Sequence, residues 1–304
     1  MSYQALEPLV EAAYRVEPFF DEASATLSYL LFDPATSACA LIDAVLDYQA
    51  STGHTSTTSA DRMIARVREL GAGVEWILET HVHADHLSAA SYLKQAVGGR
   101  VGIGAAVRQV QATFGPWFGM AEPERGDPPF DGLFDDGAHV MVGTLSLRVM
   151  HTPGHTPACV TYLMEEPSAP LAFVGDTLFS PDYGTARCDF PGGDAQALYR
   201  SVQRVLALPP TTRLLLCHDY RPGDRALLWH TSVAEQRATN VHVHEGTTEA
   251  TFVALRQARD ATLAMPALML PAVQVNLRAG RLPEPDAHGV RHLRIPLNQF
   301  QDPS

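Results

Sequence analysis

The heptapeptide Thr80-His81-Val82-His83-Ala84-Asp85-His86 places three imidazoles and a carboxylate within six residues. It follows an apolar run, Val74, Trp76, Ile77 and Leu78, that reads as a buried strand. Side chains leaving a strand end into a loop converge readily on one point, whereas a helix gathers ligands only at spacings of three and four. His81, His83 and His86 do not keep to that period, so the segment reads as a metal-binding loop. His155, Asp176 and His218 each sit just beyond another strand-like run, which brings three further loops towards the same ion.

The remaining composition narrows the function class. A chain of 304 residues with 46% hydrophobic content supports a substantial core. Its formal charge of −12 gives no basic stripe to neutralise phosphates, so neither a nucleic-acid nor an anionic-membrane partner is expected. The N-terminal residues lack a basic and then apolar leader pattern, and no run of eighteen apolar residues occurs, so a cytoplasmic location is expected. Cys39, Cys159, Cys188 and Cys217 are widely spaced without a CxxC pair, which points to buried thiols rather than disulfides or a thiolate zinc knot.

In chain order, residues 26–32 and 39–45 read as a hairpin around Asp33-Pro34-Ala35-Thr36-Ser37, with Asp43 either facing water or holding a neighbouring loop. A helix is expected over 59–70 with Ser59 as its cap, then a strand at 73–79. A second helix over 87–97 would begin inside the histidine motif and aim its free amides at the metal. A short strand at 101–103, a helix at 105–113 and a Pro- and Gly-rich surface loop at 115–132 follow. Runs at 139–142, 145–150, 159–164 and 170–174 read as a meander, and 195–206 as an amphipathic helix before a last strand at 213–216. Helices then fill 232–238 and 248–263. One domain is expected, with residues 1–225 carrying catalysis and 226–304 forming a helical segment and Pro-broken tail on the same core.

The succession H-x-H-x-D-H, T-P-G-H-T, G-D and a strand-ending His resembles the metallo-β-lactamase superfamily over roughly residues 20–220. That resemblance implies an α/β sandwich in which two mixed β-sheets pack face to face between helices, with the metal loops at one edge. It leaves two metal arrangements open. In one, two zinc ions take His81, His83 and His155 on one side and Asp85, His86 and His218 on the other, bridged by Asp176, as in a glyoxalase II-like thioester hydrolase. In the other, two histidines and a carboxylate hold a single Fe(II), as in non-haem oxygenases.

The segment Tyr183-Gly184-Thr185-Ala186-Arg187-Cys188-Asp189-Phe190 and the later His218-Asp219-Tyr220 look like the persulfide dioxygenase branch of that superfamily. The branch resemblance implies one Fe(II) per chain on His81, His155 and Asp176. It implies that His83, Asp85, His86 and His218 orient those ligands or serve a second metal, with Zn(II) as the alternative ion. Arg187 and Tyr220 are implied to hold a small-molecule persulfide that reacts with O2, and Tyr220 to join the catalytic set. Cys188, beside Arg187, is expected in the substrate pocket, either as an inert cysteine of its wall, the favoured reading, or as a low-pKa thiol able to accept or pass sulfane sulfur. The features around Ser180-Pro181-Asp182-Tyr183 and the PAVQVNLRAG tail are similar to a bacterial subgroup associated with sulfurtransferases, implying a rhodanese partner. A homodimer is common for the branch.

Overall fold

Period-two burial dictates the layering. In strand Thr26–Asp33, Leu27, Tyr29 and Leu31 enter one core while Leu30 enters another. Ala40 and Ile42 oppose Cys39 and Leu41 in strand Ala38–Ile42, and Trp76 and Leu78 oppose Ile77 in Gly73–Leu78. A sheet apolar on both faces must lie between two layers. The computed structural model, which describes residues 6–120, 129–165 and 170–299, shows that arrangement.

The first sheet has seven strands. Leu9–Val10, Arg15–Asp21, Thr26–Asp33 and Ala38–Ile42 form an antiparallel meander, onto which Gly73–Leu78, Arg100–Gly104 and Gly132–Phe134 add in parallel. The second has six strands, His139–Val142, Leu145–His151, Val160–Met164, Leu171–Phe173, Arg213–Leu215 and His230–Ser232. Within it only Leu171–Phe173 and Arg213–Leu215 pair in parallel. Inner-face residues of both sheets share one core, while helices Thr58–Glu69, Ala90–Val97 and Val107–Phe114 cover the first sheet through Met63, Leu93 and Val110. Helix Ala195–Leu206 and Phe252 of helix Glu249–Asp260 pack in the same buried cluster as the second sheet. Two mixed sheets therefore pack face to face between helices, as the sequence resemblance implied.

The register brings the loops to one edge. Phe173 pairs with Leu215 in parallel, and Asp176 and His218 each lie three residues further on. Ile42 likewise pairs with Leu78, so Asp43 emerges beside Glu79 and Thr80 at the root of the histidine loop. The Tyr29 hydroxyl donates to the Leu216 carbonyl at 2.5 Å and that of Tyr162 to Glu79 at 2.9 Å, tying the sheets together beside the loops.

Three local expectations are corrected. Ser59 does not cap its helix, which starts at Thr58 after Thr57, because its hydroxyl is drawn to Asp47 at 2.7 Å. The helix after the histidine motif starts at Ala90 rather than Leu87, since Leu87 and Ser88 pair as a short strand with Leu46 and Val45. Its first amide donates to the Ser88 hydroxyl at 3.0 Å. In the expected surface loop, Gly115–Phe118 is a 3-10 turn with Phe118 buried, and residues 121–128 lie outside the described residues. The C-terminal segment contains a further helix, Met269–Asn276.

Candidate metal centre

Asp43 sets the geometry of the histidine loop from a strained backbone, φ 51°, a region short polar side chains tolerate. Its carboxylate accepts from the Thr80 amide at 2.7 Å, the Thr80 hydroxyl at 2.9 Å and His83 Nε2 at 3.0 Å. With its own proton given to Asp43, the Thr80 hydroxyl accepts from His81 Nδ1 at 3.0 Å. His155 Nδ1 donates to the Arg187 carbonyl at 2.8 Å. In each case the outward nitrogen carries the proton, which leaves a lone pair on His81 Nε2, His83 Nδ1 and His155 Nε2 for a ligand. Gly175, at φ 51°, permits the close approach of the Asp176 turn, because a Cβ there would lie 2.7 Å from the Thr80 hydroxyl.

The metal test is met by the atoms left without partners. His81 Nε2, His83 Nδ1, His86 Nε2, His218 Nε2 and Asp176 Oδ1 are buried and lack a well-formed hydrogen bond. An unsatisfied buried polar atom costs about 1–3 kcal/mol, so five close together at one sheet edge describe a cation site. Imidazole with carboxylate suits Fe(II) or Zn(II).

The side chains divide into overlapping sets. One ligand atom from each of His81, His155 and Asp176 lies within 4.8 Å of the others, and the same holds for His83, Asp85 and His86. Asp176 stands 3.7 Å from His81, 3.5 Å from His155 and 3.3 Å from His218. His218 also lies 3.6 Å from Asp85, and Thr26 Oγ1 is 3.3 Å from His86 and 3.4 Å from His218. Burial and the neighbouring His83 push the pKa of His81 well below its usual value, keeping it neutral. Burial also opposes charge on His218, but Asp176 and Asp85 outweigh it and raise its pKa to about 9. For His83 the same contest is won by Asp43 and Glu79, which raise its pKa, so a metal there must displace a proton.

A cavity of about 380 Å³ runs from His155, Asp85 and Asp176 to a rim carrying Arg187, Tyr220 and Arg259. Tyr220 is 42% exposed and stacks on His218 at 5.6 Å. Arg187 reaches the cavity with its fork already closed on Asp189, at 2.6 Å for both nitrogens, and donates at 2.7 Å to the Ala264 carbonyl. Cys188 departs from expectation. It is buried on the wall of a separate cavity with Asp189, Asp194 and Asp260, and burial followed by the Asp260 carboxylate raises its thiol pKa rather than lowering it. Cys188 is not among the residues lining the cavity at His155 and Asp176, and its backbone amide donates to Asp260 at 2.9 Å.

Several functional neighbours escaped the sequence reading. Glu79 accepts from Ser88 at 2.5 Å and lies 3.5 Å from His83, and its only sequence signal is a carboxylate ending an apolar strand. Asn276 donates to the His83 carbonyl at 2.9 Å and that of His86 at 2.8 Å from a helix some 190 residues later, with no signal in the motif. His242 accepts from the Thr185 amide at 3.0 Å behind the cavity wall.

The superfamily signature described as metallo-beta-lactamase matches residues 22–218. A Burkholderia pseudomallei protein titled "Probable metallo-hydrolase" is 60% identical over 290 residues, 93% of this chain and 99% of that one. "Glyoxylase B2" of Dictyostelium discoideum is 45% identical, covering 94% of this chain and 98% of its own. The mitochondrial persulfide dioxygenase ETHE1 of Bos taurus is 30% identical across 73% of this chain and 72% of that one. The crystal structure of ETHE1 from Myxococcus xanthus superposes with a TM-score of 0.70 at 30% identity, over 88% of this chain and 99% of that one. With the signature spanning most of the chain and all the clustered ligands, this protein belongs to the metallo-β-lactamase superfamily.

Proposed function

We propose that the protein is a persulfide dioxygenase that converts a low-molecular-weight persulfide, with O2 and water, into the thiol and sulfite. The single observation that supports it best is the grouping of His81, His155 and Asp176, two imidazoles and a carboxylate, of which His155 and Asp176 line the cavity. These three would hold Fe(II), one per chain, and that ion supplies the redox chemistry that makes O2 reactive. His83, Asp85, His86 and His218 lie beside them, with His218 3.3 Å from Asp176, and Tyr220 and the Arg187 segment form the substrate wall. The likeness to ETHE1 in both sequence and structure supports the same reading. Supply of persulfide by a rhodanese-type sulfurtransferase and assembly as a homodimer belong to this proposal.

The second donor group, His83 with Asp85 and His86, favours a second reading as a two-zinc thioester hydrolase, in keeping with the titles of the Burkholderia and Dictyostelium relatives. Anaerobic purification followed by metal analysis, oxygen uptake with glutathione persulfide and hydrolysis of a glutathione thioester separates them. About one iron per chain with oxygen uptake is expected. Two zinc ions with thioester turnover would replace the dioxygenase by the hydrolase.

A further inference from the structure

The cavity wall over residues 179–187 contains a turn but no helix or strand, so its backbone polar groups draw on partners from elsewhere. Helix Val233–Thr239, the segment after it and Arg256 supply them. Gln236 Nε2 donates to the Phe179 carbonyl at 2.7 Å, the Val241 amide to the Pro181 carbonyl at 2.9 Å and Asn240 Nδ2 to the Gly184 carbonyl at 3.3 Å. Thr185 is held from both sides. Its amide donates to His242 Nδ1 at 3.0 Å, and its carbonyl accepts from the buried Arg256 at 3.0 Å. The Thr185 hydroxyl lies 3.2 Å from the same ring nitrogen. The imidazole of His242 is itself buried and rests on the backbone of Gly184, φ 99°, where a Cβ would overlap the ring.

Burial, followed by the Arg256 and Arg259 guanidinium groups, holds the pKa of His242 down to about 4, so at neutral pH its Nδ1 carries a lone pair and accepts. Two residues beyond Thr185, the Arg187 carbonyl accepts from His155 Nδ1 at 2.8 Å. Thr185, Ala186 and Arg187 line the cavity beside His155 and Asp176, whereas His242 stands behind them and does not line it. A carbonyl at the back of an imidazole ligand fixes its tautomer and the direction of its lone pair. We propose that His242 is a positioning residue of this centre, its Nδ1 fixing the Thr185 amide and, through the Arg187 carbonyl, the orientation of His155. The ring acts on the site through three residues of backbone and touches no proposed ligand.

This inference rests on His155 as a metal ligand, which the iron and zinc readings share, and fails separately from the choice between them. The Co(II) affinity and visible absorption of the full chain loaded with Co(II) report how His155 is held, with neither persulfide nor O2 present. His242→Asn sets an amide oxygen close to the place of Nδ1, whereas His242→Leu fills similar space without an acceptor. His242→Leu is expected to bind Co(II) about tenfold more weakly with shifted absorption bands, and His242→Asn to restore both. If His242→Leu loses its cooperative melting transition, His242→Gln takes its place, since the longer side chain carries the amide past Thr185 and should show the same loss. Wild-type bands and affinity in the variant without a placed acceptor overturn the assignment. So does an equal loss in His242→Asn, which would reduce the ring to packing. Absence of oxygen uptake with every persulfide, alongside a Co(II) response that depends on His242, refutes the dioxygenase reading alone.

Discussion

Asp176 concentrates the electrostatics of the site. Burial favours its neutral form, but His218, His81 and His155, all within 3.7 Å, hold its pKa well below the usual carboxylate range. Residues behind a metal ligand already change affinity by about 10–100-fold, so removing the shared ligand costs more. Asp176→Ala should lose iron and oxygen uptake together, and iron retained at one per chain would remove Asp176 from the ligand set. Arg187 works differently, through Asp189 and the Leu263 and Ala264 carbonyls. Arg187→Ala should keep its iron while KM rises about tenfold for charged and neutral persulfides alike, because the wall itself loosens. An unchanged KM would take Arg187 out of the pocket. The three loop histidines and Asp85 were legible in the sequence because they crowd into six residues. Asn276 was not, since its hold on the His83 and His86 carbonyls comes from a helix brought to the loop only by tertiary packing.

At the scale of elements, the hairpin turn after strand Thr26–Asp33 shows how a short motif anchors two sheets. The Asp33 carboxylate accepts from the Ala35 amide, the Thr36 hydroxyl, and the Thr144 amide and hydroxyl of the second sheet's first hairpin. Burial opposes its ionisation, but these donors, led by the Thr144 amide, bring its pKa down to about 2. A depressed native pKa stabilises the fold above the unfolded-state value near 4, and that contribution is lost as pH falls towards 2. Denaturant unfolding should therefore show Asp33→Asn weaker than wild type by about 2 kcal/mol at pH 7, the gap closing between about pH 4 and 2. A gap constant over that range would show that the carboxylate's charge contributes nothing. The turn itself was readable from Asp33-Pro34-Ala35-Thr36-Ser37, but its link to Thr144 was not, as no local pattern encodes a partner 111 residues away. Leu87 and Ser88 failed for a similar reason. A two-residue strand has no periodicity, and only pairing with Val45 and Leu46 stops the helix from starting there.

For the whole molecule, the residues after 225 decide whether the metal edge can exist without them. Met269, Val273, Val275 and Leu277 are buried in the same core as Leu41, Ile77 and Leu87, and Phe252 is buried against Tyr199 of helix Ala195–Leu206 in the other. Each contributes roughly 1.5–3 kcal/mol of burial, so these five together rival the 5–15 kcal/mol net stability of a whole domain. Asn276 adds a connection that packing alone does not supply. It holds the His83 and His86 carbonyls and accepts from the Ser88 amide at 2.7 Å, so the histidine loop takes its shape from both ends of the chain. A fragment of residues 1–225 should then lack a cooperative melting transition and bind neither iron nor zinc stoichiometrically, although it contains every proposed ligand. Cooperative melting with a full metal complement in that fragment would make the C-terminal segment an accessory to a self-sufficient sandwich. Without it, the site depends on the C-terminal segment as well as on the sandwich.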